Sequence, residues 1–313
     1  MDEEERGLGR RSELLQSVPE WSRHGWLRAG FSGRLGGISH DFAEVKHTFA
    51  EVKHGFAGVR ETGLLNLGFI PQDWPEAVQE NRRRLVDSLG PESWQLVVTK
   101  QVHGVVVREV TTGNAAVAMV GGRGEWEADG MVTGVAGVLL GVGAADCVPL
   151  LVADLRERVV GAFHAGWRGT AARMAGVALA RMTEVFGTRA EDCVAAVGPS
   201  IGACCYEVGE EVREAIVDRE QGGREEDARD GEAEGGGVLV ATGADRWRLD
   251  LWEANRRQLV AAGVPAASVT VVGECTACSR DAEGRRRYFS YRAEGGITGR
   301  MLGVIGVRPD RRA

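Results

Sequence analysis

Short apolar runs separated by polar turns dominate the chain, and their lengths are those of β-strands rather than of long helices. The predicted strands are QLVVT (95–99), VVVREV (105–110), VLLGVG (138–143), VPLLVAD (148–154), RVVGAF (158–163), CVAAVG (193–198), SVTVVGE (268–274), RYFSYRA (287–293) and RMLGVIGVR (300–308).

Two segments carry the spacing of helices instead. GTAARMAGVALARMTEVFG (169–187) repeats its apolar residues every three to four positions and stops at Gly187, and LWEANRRQLVAAG (251–263) stops at Gly263. Strands joined by tight turns, with helices interspersed irregularly, predict an α+β fold with mixed sheets rather than regular βαβ winding.

Three segments depart from this pattern. Residues 1–25 form a charged lead-in that we expect to be poorly ordered. FAEVKHTFAEVKHGFAGVRE, within the insertion near 41–61, repeats a heptapeptide whose Phe and Val residues fit one helical face. The acidic, glycine-rich stretch 219–237 is expected to be a disordered loop. We therefore predict a single domain over 26–313 that carries both insertions.

The composition excludes several classes of partner. The 313 residues are 43% hydrophobic, which suffices for a large core, and the net charge of −7 argues against non-specific binding to nucleic acid or an anionic membrane. We find no apolar run of the roughly 18 residues that a membrane helix needs, and no signal peptide in MDEEERGLGRRSELLQ. The expected location is cytoplasmic, so the six cysteines are predicted to be thiols or metal ligands.

One predicted hairpin suggests a metal site. If DLRE (154–157) is its turn, Cys147 and His164 lie directly opposite each other, close enough to bind one zinc ion. His103 in QVHG supplies a third ligand and leaves one coordination position open, as in catalytic zinc sites. The alternative is a buried hydrophobic thiol beside a core histidine. Spacing alone does not decide between the two.

The remaining cysteines offer a rival site. Cys275 and Cys278 form a CxxC motif, and Cys204 and Cys205 are adjacent. A four-cysteine zinc site is conceivable, but zinc ribbons normally use two CxxC pairs and adjacent cysteines are poorly placed to bind one ion. A redox CxxC is disfavoured because no thioredoxin-like unit surrounds it.

A series of ordered motifs resembles the YfiH-like family, the "laccase-domain" proteins, from about residue 30 onward. The motifs are FSGRLGGIS (31–39), LNLG (65–68), QVHG (101–104), EADGMVT (127–133), ADCVPLL (145–151), HAGWRG (164–169), GPSIGACCYEV (198–208), CT (275–276), FSYR (289–292) and TGR (298–300). The resemblance implies an αββα layered sandwich with mixed β-sheets. It also implies that His103, Cys147 and His164 bind zinc, with copper as the alternative metal. The heptapeptide insertion, where relatives have a short loop, is a departure.

The resemblance further implies a purine nucleoside phosphorylase acting on adenosine, inosine and methylthioadenosine, with adenosine deaminase activity. Phosphorolysis needs cations around phosphate, and deamination needs water activated at the metal together with an acid/base. Strand alternation points Asp146, the nearest carboxylate, away from Cys147. The catalytic candidates are Cys147, Asp146 and Arg168, and the candidates for binding substrate or phosphate are Arg34, Arg168, Ser200 and Arg292.

Three other functions remain open. Cys147 could be the nucleophile of a hydrolase with a nearby histidine as base, and the family resemblance implies a cytosolic amidase that edits cell-wall precursors as one such enzyme. A nucleophilic Cys147 is alkylated quickly, whereas a metal-bound one is masked. A copper-dependent polyphenol oxidase needs more histidines than the six present. A non-catalytic metal-binding protein is the third alternative. We expect a monomer or a homodimer.

Overall fold

Two β-sheets packed face to face form the centre of the computed structural model, which describes residues 14–40, 42, 62–115, 119–120, 122–220 and 237–309. The five-stranded sheet contains, in spatial order, β1 (Leu15–Ser17), β2 (Leu27–Ser32), β18 (Met301–Val307), β10 (Val138–Ala144) and β5 (Gln95–Val98). The six-stranded sheet contains β17 (Val269–Val271), β13 (Cys193–Val197), β11 (Val148–Asp154), β12 (Val159–Ala165), β9 (Gly130–Thr133) and β6 (Val107–Glu109).

Both sheets are mixed. The pairs β5–β10, β13–β17 and β6–β9 are parallel, and the other pairs within these two sheets are antiparallel. Smaller sheets are formed by β3 (Leu35–His40) with β4 (Thr62–Leu64), by β7 (Met119–Val120) with β8 (Arg123–Gly124), and by β14 (Glu207–Val208), β16 (Arg246–Leu249) and β15 (Leu239–Gly243).

Helices cover the outer faces of the sandwich. They are α1 (Pro75–Ser88), α2 (Trp167–Ala171), α3 (Met174–Phe186), α4 (Glu210–Glu220) and α5 (Leu251–Ala261), and three short 3₁₀ turns lie at 19–21, 190–192 and 266–268. None of the helices in the described residues has both the length and the apolar character needed to cross a bilayer.

Three apolar layers hold the sandwich together. Side chains such as Phe31, Met131 and Ile305 fill the space between the two sheets. Met182 of α3 packs with the outer face of the six-stranded sheet, and Leu85 of α1 packs with that of the five-stranded sheet. Burial of these layers is the dominant favourable contribution to folding. The predicted αββα sandwich with mixed sheets is therefore confirmed.

Three local predictions differ from the structure. The segment 169–187 forms two helices, because Arg173 takes a left-handed conformation (φ 60°) between them, although Gly187 does terminate the second. Residues 287–293 form a turn-rich loop rather than a strand, because their polar groups bond to other loops instead of to a sheet edge. Residues 14–25 of the expected lead-in are ordered: β1 pairs with β2, and Trp21 is buried.

The predicted insertions fall largely outside the described residues. This holds for 1–13, for the heptapeptide repeat apart from Phe42, and for 221–236 of the acidic stretch. Phe42 is buried and its ring centroid lies 6.0 Å from that of Phe289.

The predicted register of the hairpin β11–β12 was wrong by two residues. Asp154 pairs with Val159, and His164 faces Pro149 instead of Cys147. The turn comprises residues 155–158, because the Asp154 carboxylate accepts the amide hydrogens of Arg156 (2.8 Å) and Glu157 (3.0 Å) and Arg158 takes a left-handed conformation. Since strand side chains alternate with a period of two, this shift keeps Cys147 and His164 on the same face.

Replacement of Asp154 tests this account of the register. We expect Asp154→Ala to lower the free energy of unfolding by about 1–2 kcal/mol, because two turn amides lose their acceptor. Asp154→Asn keeps an acceptor oxygen and should lose less than half of that. Glu157→Ala, which removes a side chain 39% exposed from the same turn, should change stability by less than about 0.5 kcal/mol. Urea unfolding measures all three, and equal losses for Asp154→Ala and Asp154→Asn would contradict the amide-acceptor role.

Candidate metal centre and its cavity

One thiol and two imidazoles lie close together at one end of the central strands β11 and β12 of the six-stranded sheet. His103 comes from the loop between β5 and β6, Cys147 from the bend between β10 and β11, and His164 from β12. Their potential ligand atoms all lie within 4.8 Å of one another. The two imidazole rings have centroids 4.9 Å apart and are nearly perpendicular at 79°. The structure thus brings together the three residues expected to bind a metal.

A single buried carboxylate arranges the loop that carries His103. Asp129 accepts the backbone amide hydrogens of Val102 (3.2 Å), His103 (2.9 Å) and Gly104 (2.7 Å). His103 has a left-handed backbone (φ 62°), which a residue with a Cβ adopts only when the surroundings favour it. The three hydrogen bonds to Asp129 supply that stabilisation.

The same carboxylate orients the second imidazole. Asp129 Oδ1 lies 2.9 Å from His164 Nδ1, and both residues are buried. Nδ1 donates to the carboxylate, which leaves Nε2 as the nitrogen available to a ligand, the arrangement found around many metal-binding histidines. Sequence reasoning did not single out Asp129, although it lies in the quoted motif EADGMVT.

The electrostatics of the cluster favour a thiolate. Burial raises the pKa of Cys147, but the charge of His164 and hydrogen bonds from both imidazoles lower it by more, so that the net pKa is about 6. Burial lowers the pKa of His164, whereas Cys147 and Asp129 raise it to about 9. Between these values, in protein without metal, the pair is a thiolate next to an imidazolium.

The residues fit a transition-metal ion. A Cβ added at Gly166 would lie 2.8 Å from Cys147 Sγ and 3.5 Å from His103 Cδ2, so the absence of a side chain keeps this space open. One thiolate and two imidazoles are a donor set suited to zinc and to copper.

The cluster opens into a cavity of about 990 Å³ whose walls are strongly cationic. Its positively charged side chains are Arg82, Lys100, Arg123, Arg168, Arg292 and Arg300. Its acidic side chains are Glu125 and Asp146, and its aromatic side chains are Phe69, Trp167, Tyr206 and Tyr291. Six cationic side chains against two acidic ones give the wall of the cavity a net positive charge.

Asp146 lines the cavity and holds its far wall in place. One carboxylate oxygen accepts hydrogen bonds from the hydroxyls of Thr276 (2.7 Å) and Ser290 (2.6 Å), and the other accepts the amide hydrogen of Arg292 (2.7 Å). Asp146 has φ 95° and precedes β11, so the strand alternation used to predict its direction does not apply to it.

Two of the residues expected to bind substrate or phosphate lie elsewhere. Arg34 is buried, forms an ion pair with Glu294 and stacks 4.8 Å above the ring of Phe289. Ser200 is buried, and its hydroxyl accepts a hydrogen bond of 2.6 Å from Trp252 Nε1. The structure does not place either residue in the wall of the cavity.

Arg168 and Arg292 do line it. The Arg168 side chain is 56% exposed, stacks on Trp167 at 4.1 Å and lies 3.5 Å from Glu211. Arg292 extends over the ring of Tyr206 at 5.3 Å.

Sequence reasoning missed several residues of the cavity. Arg300 belongs to the quoted TGR motif, so its signal was present but unused. Arg82 and Arg123 are far apart in the sequence, yet both guanidinium groups stack on the ring of Phe69, at 4.8 and 4.3 Å from its centroid. No local sequence pattern predicts this stack, because it forms only when α1 and β8 come together in the folded chain.

Comparisons with known proteins agree with these features. The profile of the family described as "multi-copper polyphenol oxidoreductase laccase" matches residues 28–308. The chain is 40% identical over 235 residues to a purine nucleoside phosphorylase of Deinococcus radiodurans, covering 75% of this chain and 79% of that protein. It is 36% identical over 310 residues to purine nucleoside phosphorylase YlmD of Geobacillus stearothermophilus, covering 95% and 99%.

Two further matches extend the comparison. Adenosine deaminase RL5, from an unknown prokaryotic organism, is 34% identical over 226 residues, covering 72% of this chain and 80% of that protein. The crystal structure of Bacillus licheniformis hypothetical protein YfiH superimposes with a TM-score of 0.76 at 29% identity, covering 95% of this chain and 97% of that chain. The YfiH-like resemblance of the sequence is thereby confirmed.

A substitution at Gly166 tests whether the cluster binds metal. In Gly166→Ala, the new methyl group occupies space next to Cys147 Sγ, so we expect zinc affinity at this cluster to fall at least tenfold in a chelator competition assay. Gly176→Ala is the control, because a Cβ there meets nothing within 4 Å and improves the propensity of α3. Unchanged affinity in Gly166→Ala would contradict the assignment.

The acidity of Cys147 predicts a pH profile for metal-free protein. Because its folded pKa is lowered to about 6, the thiolate persists above that pH and is lost as pH falls through it. The rate of iodoacetamide labelling at Cys147, followed by peptide mass spectrometry, should be half-maximal near pH 6. Cys193, whose burial raises its pKa to about 12, should stay unlabelled over the same range. A midpoint at the ordinary thiol pKa would refute the electrostatic account.

Proposed function

The chain belongs to the multi-copper polyphenol oxidoreductase laccase family, and from that premise we propose that it is a metal-dependent purine nucleoside phosphorylase acting on adenosine, inosine and methylthioadenosine. The observation that carries the proposal is the opening of the His103, Cys147 and His164 cluster into a cavity lined with arginines and aromatic rings. The enzyme names of the Deinococcus and Geobacillus relatives support the same class of reaction.

Phosphate is proposed to bind among Arg168, Arg292 and Arg300. Arg300 is half-buried, and burial lowers its pKa, although Cys147 and Asp146 lie close enough for their charges to oppose this shift. Burial raises the pKa of Tyr206, and Arg168 and Arg292 both lie close enough to its hydroxyl for their charges to oppose that rise. Charge-assisted hydrogen bonds from guanidinium groups are among the strongest protein contacts to phosphate.

The purine and ribose are proposed to lie against the aromatic side chains. Trp167 and Tyr206 are held in place by stacked arginines, so they present ordered surfaces to a planar base. Tyr291, whose side chain is 56% exposed, lies on the loop that Asp146 anchors, at the edge of the cavity. This arrangement favours a purine over a smaller or aliphatic leaving group.

The proposed reaction is a displacement at the anomeric carbon. A phosphate oxygen forms a bond to C1′ while the C1′–N9 bond breaks, and the departing purine takes up a proton to give free base and ribose 1-phosphate. The arginines lower the cost of bringing a phosphate dianion to the reacting carbon and hold it in line with the bond that breaks. Asp146, through Thr276, Ser290 and Arg292, fixes the wall from which Arg292 acts.

His103, Cys147 and His164 are the residues that would hold a zinc or copper ion. A divalent ion there, with a coordination position open to the cavity, would supply Lewis-acid polarisation of a ligand oxygen. Asp129 keeps the His164 ring and the His103 loop in the geometry that such an ion needs.

Deamination of adenosine is a second candidate activity of the same cavity. The name of the relative RL5 favours it, and a cavity of about 990 Å³ is large enough for a nucleoside in more than one orientation. Water would then replace phosphate as the attacking group and ammonia would leave from C6.

Product analysis tests the proposal. Zinc-loaded protein incubated with adenosine and phosphate should release adenine and ribose 1-phosphate, and adenine should be absent without phosphate. Inosine formed without phosphate reports deamination separately. His103→Ala should reduce both activities at least 100-fold, whereas His24→Ala, outside the cavity, should retain them. Failure to release a free purine base from adenosine, inosine or methylthioadenosine in the presence of phosphate would overturn the proposal.

The phosphate contacts predict a change in KM. Arg168→Ala should raise the KM for phosphate by about tenfold or more, because one charge-assisted hydrogen bond is lost, and should raise the KM for adenosine by a smaller factor, because Trp167 loses its stacked guanidinium. Arg108→Ala removes an exposed arginine of β6 outside the cavity and is the matched control. Steady-state kinetics with phosphate varied distinguish them. Equal KM values for phosphate in the two variants would exclude Arg168 from the phosphate site.

A further inference from the structure

We propose that Cys204, Cys205, Cys275 and Cys278 bind a second, structural zinc ion behind the wall of the cavity. The potential ligand atoms of these four cysteines lie within 4.8 Å of one another, and all four are free thiols. Four cysteine sulfurs at this separation are the donor set of a tetrahedral structural zinc site. With four protein ligands, such a site has no position open to substrate.

The separation of the two exposed sulfurs agrees with this geometry. Cys204 Sγ and Cys278 Sγ lie 3.7 Å apart. Zinc–sulfur bonds of about 2.3 Å in a tetrahedron place neighbouring sulfurs about 3.8 Å apart. The exposed edge of the cluster is thus already spaced for a common ion, and a disulfide would need these sulfurs to approach to about 2.05 Å.

Backbone pairing brings the two cysteine loops together. Ser200 and Cys275 form an isolated β-bridge, in which the Ser200 amide donates to Glu274 O (3.3 Å) and the Thr276 amide donates to Ser200 O (3.0 Å). The loops are therefore held side by side by the protein itself, and the site does not depend on an ion to draw its halves together.

A tight turn overcomes the objection that adjacent cysteines cannot share an ion. The amides of Cys205 and Tyr206 both donate to Gly202 O, at 2.9 and 3.0 Å, so the chain curls around the Cys204–Cys205 pair. On the other loop, the amide of Ser279 donates to Cys275 O (2.9 Å), which closes a single turn over the CxxC motif. Each turn directs two thiols toward the other.

Surrounding donors and cations suit a charged tetrathiolate. The Gly202 amide donates to Cys275 Sγ at 3.3 Å. Four thiolates around Zn²⁺ carry a net charge of −2, and two guanidinium groups lie against the loops: Arg248 donates to Ala203 O and Cys204 O, and Arg286 donates to Ala277 O. Binding balances as one Zn²⁺ taken up and one proton released from each thiol that was protonated.

The position of the cluster gives the ion a structural role in the cavity. Ile201 and Tyr206, which flank the first cysteine pair, line the cavity. Thr276, between the other two cysteines, donates to the Asp146 carboxylate. An ion that joins the two loops would hold Tyr206 and Asp146 at fixed positions relative to each other.

Metal stoichiometry tests the proposal. Full-length protein, purified with a non-thiol reductant, loaded with zinc and desalted, should contain two zinc ions per chain by mass spectrometry of the metal. Cys278→Ser should contain one zinc ion, at the cluster of His103, Cys147 and His164. His103→Ala should also contain one, at the four-cysteine cluster. Cys193→Ala, which changes a buried cysteine outside both clusters, should still contain two. Cobalt in place of zinc should give strong sulfur-to-cobalt charge-transfer absorption in His103→Ala, where four thiolates remain, and only the weaker band of one thiolate, Cys147, in Cys278→Ser.

Thiol protection in the unmodified chain covers the case in which Cys278→Ser fails to fold. Cys204 and Cys278 are exposed, so iodoacetamide should label them at least tenfold faster after zinc is removed by a chelator. Equal labelling rates with and without zinc, a disulfide between these cysteines in the reduced preparation, iron in place of zinc, or a Cys278→Ser protein that keeps two zinc ions would each overturn the proposal. None of these readouts depends on nucleoside chemistry.

Discussion

The Asp129 carboxylate is the contact on which the candidate site depends. It is buried at the start of β9, and its oxygens accept hydrogen bonds from three consecutive backbone amides and from the ring of His164. A buried carboxylate is costly unless its charge is offset, and these four donors offset it. The same carboxylate fixes two imidazoles, those of His103 and His164, that lie 61 residues apart in the chain. Neither imidazole would be held in this geometry by its own chain segment.

The sandwich supplies the rigidity that this arrangement requires. β10 ends at Ala144 and β11 begins at Val148, and they belong to different sheets, so Asp146 and Cys147 lie where the chain crosses from one sheet to the other. The crossing explains why both the thiol and the anchoring carboxylate reach the cavity despite being adjacent. Close packing on both sides of each sheet limits how far these residues can move.

The sequence predicted much of the fold because the strands and helices have clear periods. β11 was predicted with its correct bounds, and α5 with its correct start, since apolar runs and glycine stops encode them locally. The hairpin register was not predictable from length alone, because it depends on the Asp154 carboxylate accepting turn amides. The αL residue Arg173, which divides the predicted helix, likewise has no signal in apolar spacing.

The residues of the candidate site were likewise predicted only in part. The convergence of His103, Cys147 and His164 was predicted by the hairpin and by the family resemblance. The predicted register was wrong by two residues, which leaves Cys147 and His164 on the same face of the sheet. Arg34 and Ser200 were expected at the cavity but lie in buried contacts with Glu294 and Trp252, which are distant in sequence. Such long-range pairing is invisible to local motifs. The four-cysteine site is disfavoured from the sequence because only one CxxC pair is present and Cys204 and Cys205 are adjacent, whereas the turn closed on Gly202 O is visible only in the backbone hydrogen bonds.

The central position of β18 has a consequence for how the protein forms. β18 pairs with β2 on one side and with β10 on the other, so the sheet that contains residues 27–32 is complete only after residues 301–307 join it. Contacts this remote slow folding, because a long loop must close before they are gained. Until residues 301–307 join the sheet, β2 and β10 each leave one edge unpaired. Unpaired strand edges invite contacts with other chains, so we expect this sheet to be the part of the fold most prone to misassembly before β18 is in place.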